Sequence, residues 1–354
     1  EILRTIRKVL NPKDVPCGGS EKKADLRVCA YTHAATRLVG GETVAHLLHL
    51  NTQLEGTTFL VDEVGLLPLS TLGAMSRWKA LGARYICFGD YQGQFEPFRD
   101  RWNLDLSVEH SPLMHELCGG FRVTMTTYRR GSDPELFNWY VGMYGQEEVR
   151  GLVAESRARY PATGDRHCNP LVLCVSHAKR MIVNARQNEL LKPGGAVHLE
   201  WEGDDLIGCT MQPQSMSIWQ GLELIGCTRG SGKKRVVQGV VYVITDIAES
   251  DVQLEMLDEY CRDPLNKCGD EIPKVPIEEM CSQLRLTHAM CYYTIQGRTI
   301  KNRHIQLLDT DHPHFGVRSL IVGLSRATHG RFLHVGDSTS EGLFVGVRRV
   351  LQCK

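Results

Sequence analysis

Short runs of apolar residues alternate with amphipathic stretches along most of this chain. Strand-like runs fall at residues 26–30, 58–61, 84–88, 122–125, 171–175, 304–308 and 332–335. Continuous apolar runs of this length, separated by helical periodicity, predict parallel strands covered on both faces. The opening residues 1–10 place Ile2, Leu3, Ile6, Val9 and Leu10 on one helical face, and Asn11-Pro12 stops the helix. Residues 197–270 read differently: turn residues crowd together and strands such as 236–244 follow one another without a helix between them. That segment predicts a small antiparallel β insertion. Residues 258–276, with three prolines and mixed charges, predict an exposed loop. The pattern as a whole predicts an α/β chain with an antiparallel β insertion in its second half.

A length of 354 residues lets each of two domains bury its own core. Hydrophobic content of 42% and charged content of 23% place the chain among globular proteins rather than disordered ones. Lys plus Arg equal Asp plus Glu at 41 each, so no overall basic field announces nucleic acid; a local basic channel would suffice. The 13 cysteines form no C-x-x-C pair, and Cys261 with Cys268 has the wrong spacing for a zinc hairpin. They read as reduced thiols of a soluble protein in a reducing compartment (nucleus, cytoplasm or a viral replication site), not a secreted one. Apolar runs such as 239–244 and 320–324 fall far short of the roughly 20 residues of a membrane span, and no charged-then-apolar leader opens the chain.

Two strand ends carry chemistry. In residues 59–63 the apolar Phe59, Leu60 and Val61 build a buried strand whose carboxyl end presents Asp62 and Glu63. In open α/β sheets that edge is where ligands bind. Adjacent acids there suit nucleoside triphosphate chemistry: Asp62 as a ligand of Mg²⁺, Glu63 as the group that orients the attacking water. The next strand, 84–88, ends in Gly89-Asp90 followed by Gln92 and Gln94. A glutamine in such a place can hydrogen-bond a γ-phosphate and report its loss. Gly-Asp alone also favours a simple turn.

Taken with the blocks 126–130 (TTYRR), 219–226 (WQGLELIG), 236–243 (VVQGVVYV), 289–300 (AMCYYTIQGRTI) and 322–335 (VGLSRATHGRFLHV), this order resembles superfamily 1 helicases. The likeness runs to their RecD-like branch, versions in large DNA viruses included, and spans residues 26–337. It implies two RecA-like domains of the P-loop NTPase type, residues 1–120 and 121–354, the second with a small β-barrel insertion at about 197–280, ATP and Mg²⁺ as cofactors, and single-stranded DNA as the partner, bound without sequence preference. RNA stays open as the alternative strand. It implies travel from the five-prime towards the three-prime end. By this resemblance Thr32, His33 and Thr43 touch nucleic acid, as do Tyr293 and Thr294, which stand where the family commonly has His-Lys. Asp62 and Glu63 match the magnesium-binding and water-activating acids. Gly89, Asp90 and a following glutamine, Gln94 over Gln92, match the γ-phosphate sensor. Arg129 in the Tyr128-Arg129-Arg130 block and Arg326 in Ser325-Arg326-Ala327 match the arginines of the second motor domain, with Arg326 as the finger; Gln296 and Gly297 match its QG block. Phosphoryl transfer needs such positive charge opposite the developing negative charge.

A phosphate loop, G-x-x-x-x-G-K-[ST], does not occur in the chain. Residues 226–234 (GCTRGSGKK) are a lookalike only: Lys234 stands where the hydroxyl residue belongs, and a strand pattern follows where a helix is needed. Arg229, Lys233, Lys234 and Arg235 read as a basic turn, either solvated or touching nucleic acid. Residues 1–10 read as the helix that continues a phosphate loop lying before residue 1, so the sequence predicts a helicase fragment with weak or absent ATP turnover. A non-catalytic nucleic-acid-binding remnant is the alternative from another class. Tyr31, Trp102, Tyr292 and Tyr293 are candidates for stacking on bases, whereas Trp78, Trp139 and Trp201 read as core.

Overall fold

A computed structural model describes residues 26–32, 35–36, 41–49, 56–95, 108–162, 169–203, 213–227, 236–257 and 274–336. The described residues fall into two compact units, 26–91 with 95–126 and 92–94 with 127–336. The helix expected over residues 1–10, His33, Trp102 and the basic turn at 229–235 lie outside the described residues.

The first unit is built on a parallel sheet in the order β2-β1-β3-β4, with β1 (Leu26–Ala30), β2 (Glu42–Thr43), β3 (Thr58–Asp62) and β4 (Arg84–Cys87). Ala30 pairs in register with both Thr43 and Asp62, so three strands end level with one another. The apolar runs read from the sequence form the core because a parallel strand is covered on both faces. Phe59, Leu60 and Val61 are at most 1% exposed, and each such side chain contributes about 1.5–3 kcal/mol by leaving water. To this unit belong the helices α1 (Val44–His49), α2 (Leu69–Ala80) and α3 (Pro112–Leu117). Through α2, Trp78 stacks on Phe59 with ring centroids 5.3 Å apart, and Tyr85 stacks on the same ring at 5.5 Å. The Tyr85 hydroxyl donates to the Met75 carbonyl at 3.0 Å, which satisfies its one polar atom.

The second unit contains its own parallel sheet and an antiparallel one. Helices α4 (Pro134–Val141) and α5 (Arg150–Arg159) come first. The fully buried β5 (Leu171–Cys174) then leads into α6 (His177–Leu191), capped where Ser176 Oγ accepts the Lys179 N–H at 3.1 Å. After β5 the chain makes a ribbon of β6 (Val197–Leu199) and β7 (Met216–Ile218). The five-stranded antiparallel sheet follows: β8 (Glu223–Gly226), β9 (Val241–Ile247), β10 (Asp251–Met256), β11 (Lys274–Pro276) and, beyond the short α7 (Met280–Gln283), β12 (Leu284–Leu286), in the order β11-β10-β9-β8-β12. Its core gathers Ile218, Leu224, Tyr242, Leu254 and Met280, with Trp201 packed against it. The chain then returns to the parallel sheet through β13 (Ala289–Cys291), α8 (Tyr292–Ile295), β14 (Ile305–Leu307), α9 (Val317–Leu324) and β15 (Leu333–Val335), giving the order β13-β5-β14-β15.

Three expectations are corrected. Residues 122–125 form no strand: Phe121 and Val123 are 88% exposed, and no strand among the described residues pairs with this segment. Alternation of apolar residues satisfies the pattern of a strand, but a strand forms only where a neighbour completes its ladder. The strand expected at 236–244 begins at Val241, because residues 237–240 turn, with the Val240 N–H donating to the Val237 carbonyl at 3.2 Å. The loop expected to run to residue 276 ends sooner, where Lys274–Pro276 pairs with β10.

Candidate functional site

In the first unit the candidate residues stand along the carboxyl edge of the parallel sheet. Asp62 is the last residue of β3, and its carboxylate Oδ1 accepts the Glu63 N–H at 3.0 Å. Glu63 follows in the left-handed region, φ 53° and ψ 40°, and is only 6% exposed. A non-glycine residue held there is strained by about 1–2 kcal/mol, a cost the surrounding structure sustains. That structure is visible: the Val64 N–H donates to the Phe88 carbonyl at 2.9 Å, the Phe88 N–H to the Val61 carbonyl at 2.8 Å, and the Leu66 N–H to the Glu63 carbonyl at 3.0 Å. The turn after β3 is thus laced to the end of β4.

Gly89 sits against that turn so closely that a Cβ would lie 2.9 Å from Val64 Cγ1 and 3.2 Å from the Gly65 nitrogen. Glycine is favoured there by close approach, a reason that the turn preference of Gly-Asp did not supply. Asp90 is exposed. Gln94, which groups with the second unit, carries a buried Oε1 that has no hydrogen-bond partner among the described residues. Thr32 and Thr43, at the same strand ends, have local work: Thr32 Oγ1 accepts the Ala35 N–H at 3.1 Å, and Thr43 Oγ1 accepts the His46 N–H at 3.1 Å, capping α1.

Burial pushes the Asp62 carboxyl above its ordinary range, and the Glu63 N–H pulls the other way. A carboxylate so placed gains from a neighbouring cation. A single carboxylate at a sheet edge, with phosphate oxygens and waters completing the shell, is how Mg²⁺ is commonly held, and Asp62 fits that description.

In the second unit three blocks distant in sequence come together. Arg130 Nη1 donates to the Ser325 carbonyl at 3.0 Å, the Ser132 N–H to the Thr328 carbonyl at 3.1 Å, and the Gly330 N–H to Asp133 Oδ2 at 2.8 Å. Gly131 is pressed between them; a Cβ would lie 2.2 Å from the Thr328 oxygen. The QG block joins through the Ile300 N–H, which donates to the Arg326 carbonyl at 2.9 Å. Gln296 caps α8, and Gly297 turns at φ +81°, a conformation that glycine adopts without cost. Arg129 is exposed. Tyr293 is half-buried and Thr294 exposed.

Arg326 is buried, 3% exposed, and its guanidinium donates from Nε to the Val322 carbonyl at 3.0 Å, from Nη1 to the Arg298 carbonyl at 3.1 Å and from Nη2 to Ser325 Oγ at 2.7 Å. No pattern in the chain marks this arginine as an organiser of its own unit, or marks Arg298 as buried and donating to the Thr294 and Gly239 carbonyls. Asp133 was likewise missed. Burial pushes its carboxyl up, but N–H donors from Leu136 and Gly330 and the nearby His329 outweigh that and hold it below the usual range. Pro134 directly after it, opening a helix, is the signal that marks Asp133 as a cap. One stacking candidate is corrected: Tyr292 is 2% exposed with its hydroxyl donating to the Leu308 carbonyl at 2.8 Å, so it belongs to the core.

Among the described residues no cluster of three or more His, Cys, Asp or Glu side chains is poised to hold a metal ion. Among them, too, no helix is long and apolar enough to cross a membrane.

No protein-family model and no curated protein matches the chain. Solved structures do. A Bacteroides Pif1 bound to single-stranded DNA superposes with a TM-score of 0.62 at 14% identity, covering 99% of this chain and 90% of that one. The Pif1 helicase of Candida albicans gives 0.60 at 14% identity, covering 100% and 92%. A Bacteroides Pif1 helicase in complex with ADP-AlF3 and single-stranded DNA gives 0.61 at 14% identity, covering 95% and 89%. The chain therefore shares its fold with these helicases: two parallel-sheet α/β domains with an antiparallel sheet in the second.

Proposed function

We propose that this chain is the motor of a superfamily 1 helicase or translocase, which couples ATP hydrolysis to movement on single-stranded nucleic acid. One observation carries the reading: the carboxyl edge of the first sheet ends in Asp62 followed by a buried Glu63 locked in the left-handed region. Strain kept at a ligand-binding sheet edge points to a chemical role for the strained residue. The fold shared with helicases solved on single-stranded DNA and with ADP-AlF3 supports the same assignment, and favours DNA over RNA.

Asp62 is assigned to Mg²⁺, which when bound neutralises charge on the phosphates. Glu63 is the group that orients and deprotonates water, and Gln94 senses the γ-phosphate. Arg129 and Arg326 are assigned to stabilise its developing charge, with Gly89, Asp90, Gln296 and Gly297 shaping the nucleotide's surroundings. Thr32, His33, Thr43, Tyr293 and Thr294 are assigned to the strand. Within that superfamily the assignment is to the RecD-like branch, on the order of the sequence blocks alone.

The sequence holds no G-x-x-x-x-G-K-[ST] loop. Without such backbone donors and lysine a triphosphate's charge is poorly compensated, so the chain by itself is a weak or inactive ATPase. That observation favours a second reading, a nucleic-acid-binding remnant without turnover. Two measurements separate them. DNA-stimulated ATP hydrolysis by the full-length gene product supports the motor; binding of single-stranded DNA with no hydrolysis under any nucleotide load supports the remnant. Absence of both DNA binding and hydrolysis would defeat the two together.

A further inference from the structure

A cavity of about 350 Å³ lies within the second unit, lined by Trp219, Glu223, Thr287, His288 and Arg303 among others, and none of the residues assigned above to nucleotide or strand lines it. That volume is at the low end of pockets that take small molecules. His288 directly precedes β13, and Arg303 stands just before β14, so these walls come from the amino ends of parallel strands. Folds of this kind hold nucleotides at the opposite edge. The antiparallel part supplies the rest: Glu223 opens β8, and Trp219 sits in the turn between β7 and β8.

Polar groups converge on this cavity. Arg303 Nη1 donates to Glu223 Oε2 at 2.6 Å, which sets a carboxylate and a guanidinium side by side. Glu223 Oε1 and Arg303 Nη2 have no hydrogen-bond partner among the described residues. The Thr287 hydroxyl donates to the Glu223 carbonyl at 2.9 Å, and the Val172 N–H to the His288 carbonyl at 2.9 Å, so both walls are tied to the sheets. His288 is 5% exposed, and its Nε2 is buried without a hydrogen-bond partner among the described residues. A buried polar atom left so costs free energy that a ligand can return. Burial, and then the Arg303 charge, keep this imidazole neutral at pH 7. The Trp219 ring lies within 21° of parallel to it, with centroids 6.4 Å apart.

An indole face takes a flat ring, and a carboxylate beside a guanidinium takes a hydrogen-bond donor beside an acceptor on that ring's edge. Stacking tolerates every base, so the edge makes the choice. Guanine carries the matching edge: its N1–H and 2-amino group donate side by side, and O6 next to them accepts. Adenine and cytosine bring one amino group without a second donor beside it, and a phenol or indole side chain lacks the acceptor. We propose that this cavity is a guanine-binding site, in which the base stacks on Trp219, Glu223 accepts from N1–H and the 2-amino group, and Arg303 donates to O6. His288 Nε2 supplies a further hydrogen bond. The base comes either from a free nucleoside or nucleotide or from a guanine in a strand, and the recognition is the same for both.

The test is calorimetric titration of the full chain with guanosine, inosine and cytidine, joined to photolabelling by 8-azidoguanosine with peptide mapping. Guanosine is expected to bind about tenfold or more tightly than inosine, which lacks the 2-amino group, and than cytidine. The label is expected on the peptide that carries Trp219 or the one that carries His288. Glu223→Gln is expected to erase the preference for guanosine over inosine. Equal affinity for guanosine and inosine, a label placed elsewhere, or displacement of guanosine by free indole overturns the proposal. A thymine strand holding one guanine separates the two sources: if it displaces guanosine the base belongs to a strand, and if it does not the ligand is the free nucleoside or nucleotide, the site standing in both cases. The wild-type series and the label decide by themselves if the variant fails to fold.

Discussion

Arg326 Nη1 donates to the carbonyl oxygen of Arg298 at 3.1 Å, and through it the block around residue 326 is pinned to the QG block. Two further donors of the same guanidinium are taken up by the Val322 carbonyl and Ser325 Oγ. A residue assigned to a phosphate thus also holds its own unit together. Arg326→Ala removes three hydrogen bonds from a buried site and is expected to cost about 2–4 kcal/mol of stability. Urea unfolding of the variant checks it. An unchanged midpoint would show that these hydrogen bonds contribute nothing, and any loss of activity in the variant must be read beside that midpoint.

Two glycines separate close approach to a side chain from close approach to a backbone. At Gly89 an added Cβ meets Val64 Cγ1 at 2.9 Å, whereas at Gly131 it meets the Thr328 carbonyl oxygen at 2.2 Å, an oxygen that already accepts the Ser132 N–H. A methyl group can swing aside; a hydrogen-bonded carbonyl moves only with its chain. Gly89→Ala is expected to cost about 1–2 kcal/mol and Gly131→Ala more than that. The order of the two melting temperatures reads the difference, and a reversed order contradicts the geometry.

Much of the fold was legible because a buried parallel strand writes itself as a short apolar run. The runs at 58–61, 84–88 and 171–175 sit where β3, β4 and β5 form. The run at 122–125 misled, since pairing depends on a partner strand and alternation says nothing of one. At the candidate site, Asp62 and Glu63 stood out as acids ending an apolar strand. The left-handed backbone of Glu63 did not, because it is imposed by hydrogen bonds to the distant Phe88 turn. Arg298 was invisible for the same reason, since its partner Gly239 lies far away in sequence; at Asp133 the cap could be read from Pro134, but the contact with the distant Gly330 could not.

His288 gives the second unit a dependence on acid. Burial first, and the charge of Arg303 second, bring its imidazole from 6.5 down to about 4. The folded chain refuses a proton that the unfolded chain takes up, so between about pH 6.5 and 4 the unfolded state binds more protons and stability falls as the pH falls. His177, lowered by burial and by Arg180, acts in the same direction. Asp133, held low, adds its loss only below the ordinary carboxylate range. Urea unfolding at pH 7 and pH 5 is expected to show a drop of up to about 2 kcal/mol, smaller in His288→Asn. An equal drop in the variant would clear His288 of the effect.

Glu63→Gln tests chemistry apart from folding. The amide keeps the size of the side chain and inherits the same left-handed backbone, φ 53°, so the strain and the buried packing are unchanged. What it loses is the ability to accept a proton from water. If Glu63 activates the attacking water, DNA-stimulated turnover in the full-length gene product is expected to fall by about 10²–10³-fold, with the unfolding midpoint and DNA binding held. Loss of stability in step with turnover would instead make Glu63 a structural residue whose strained backbone serves only the turn after β3. Full turnover in a normally folded variant would move the water-activating role to another group.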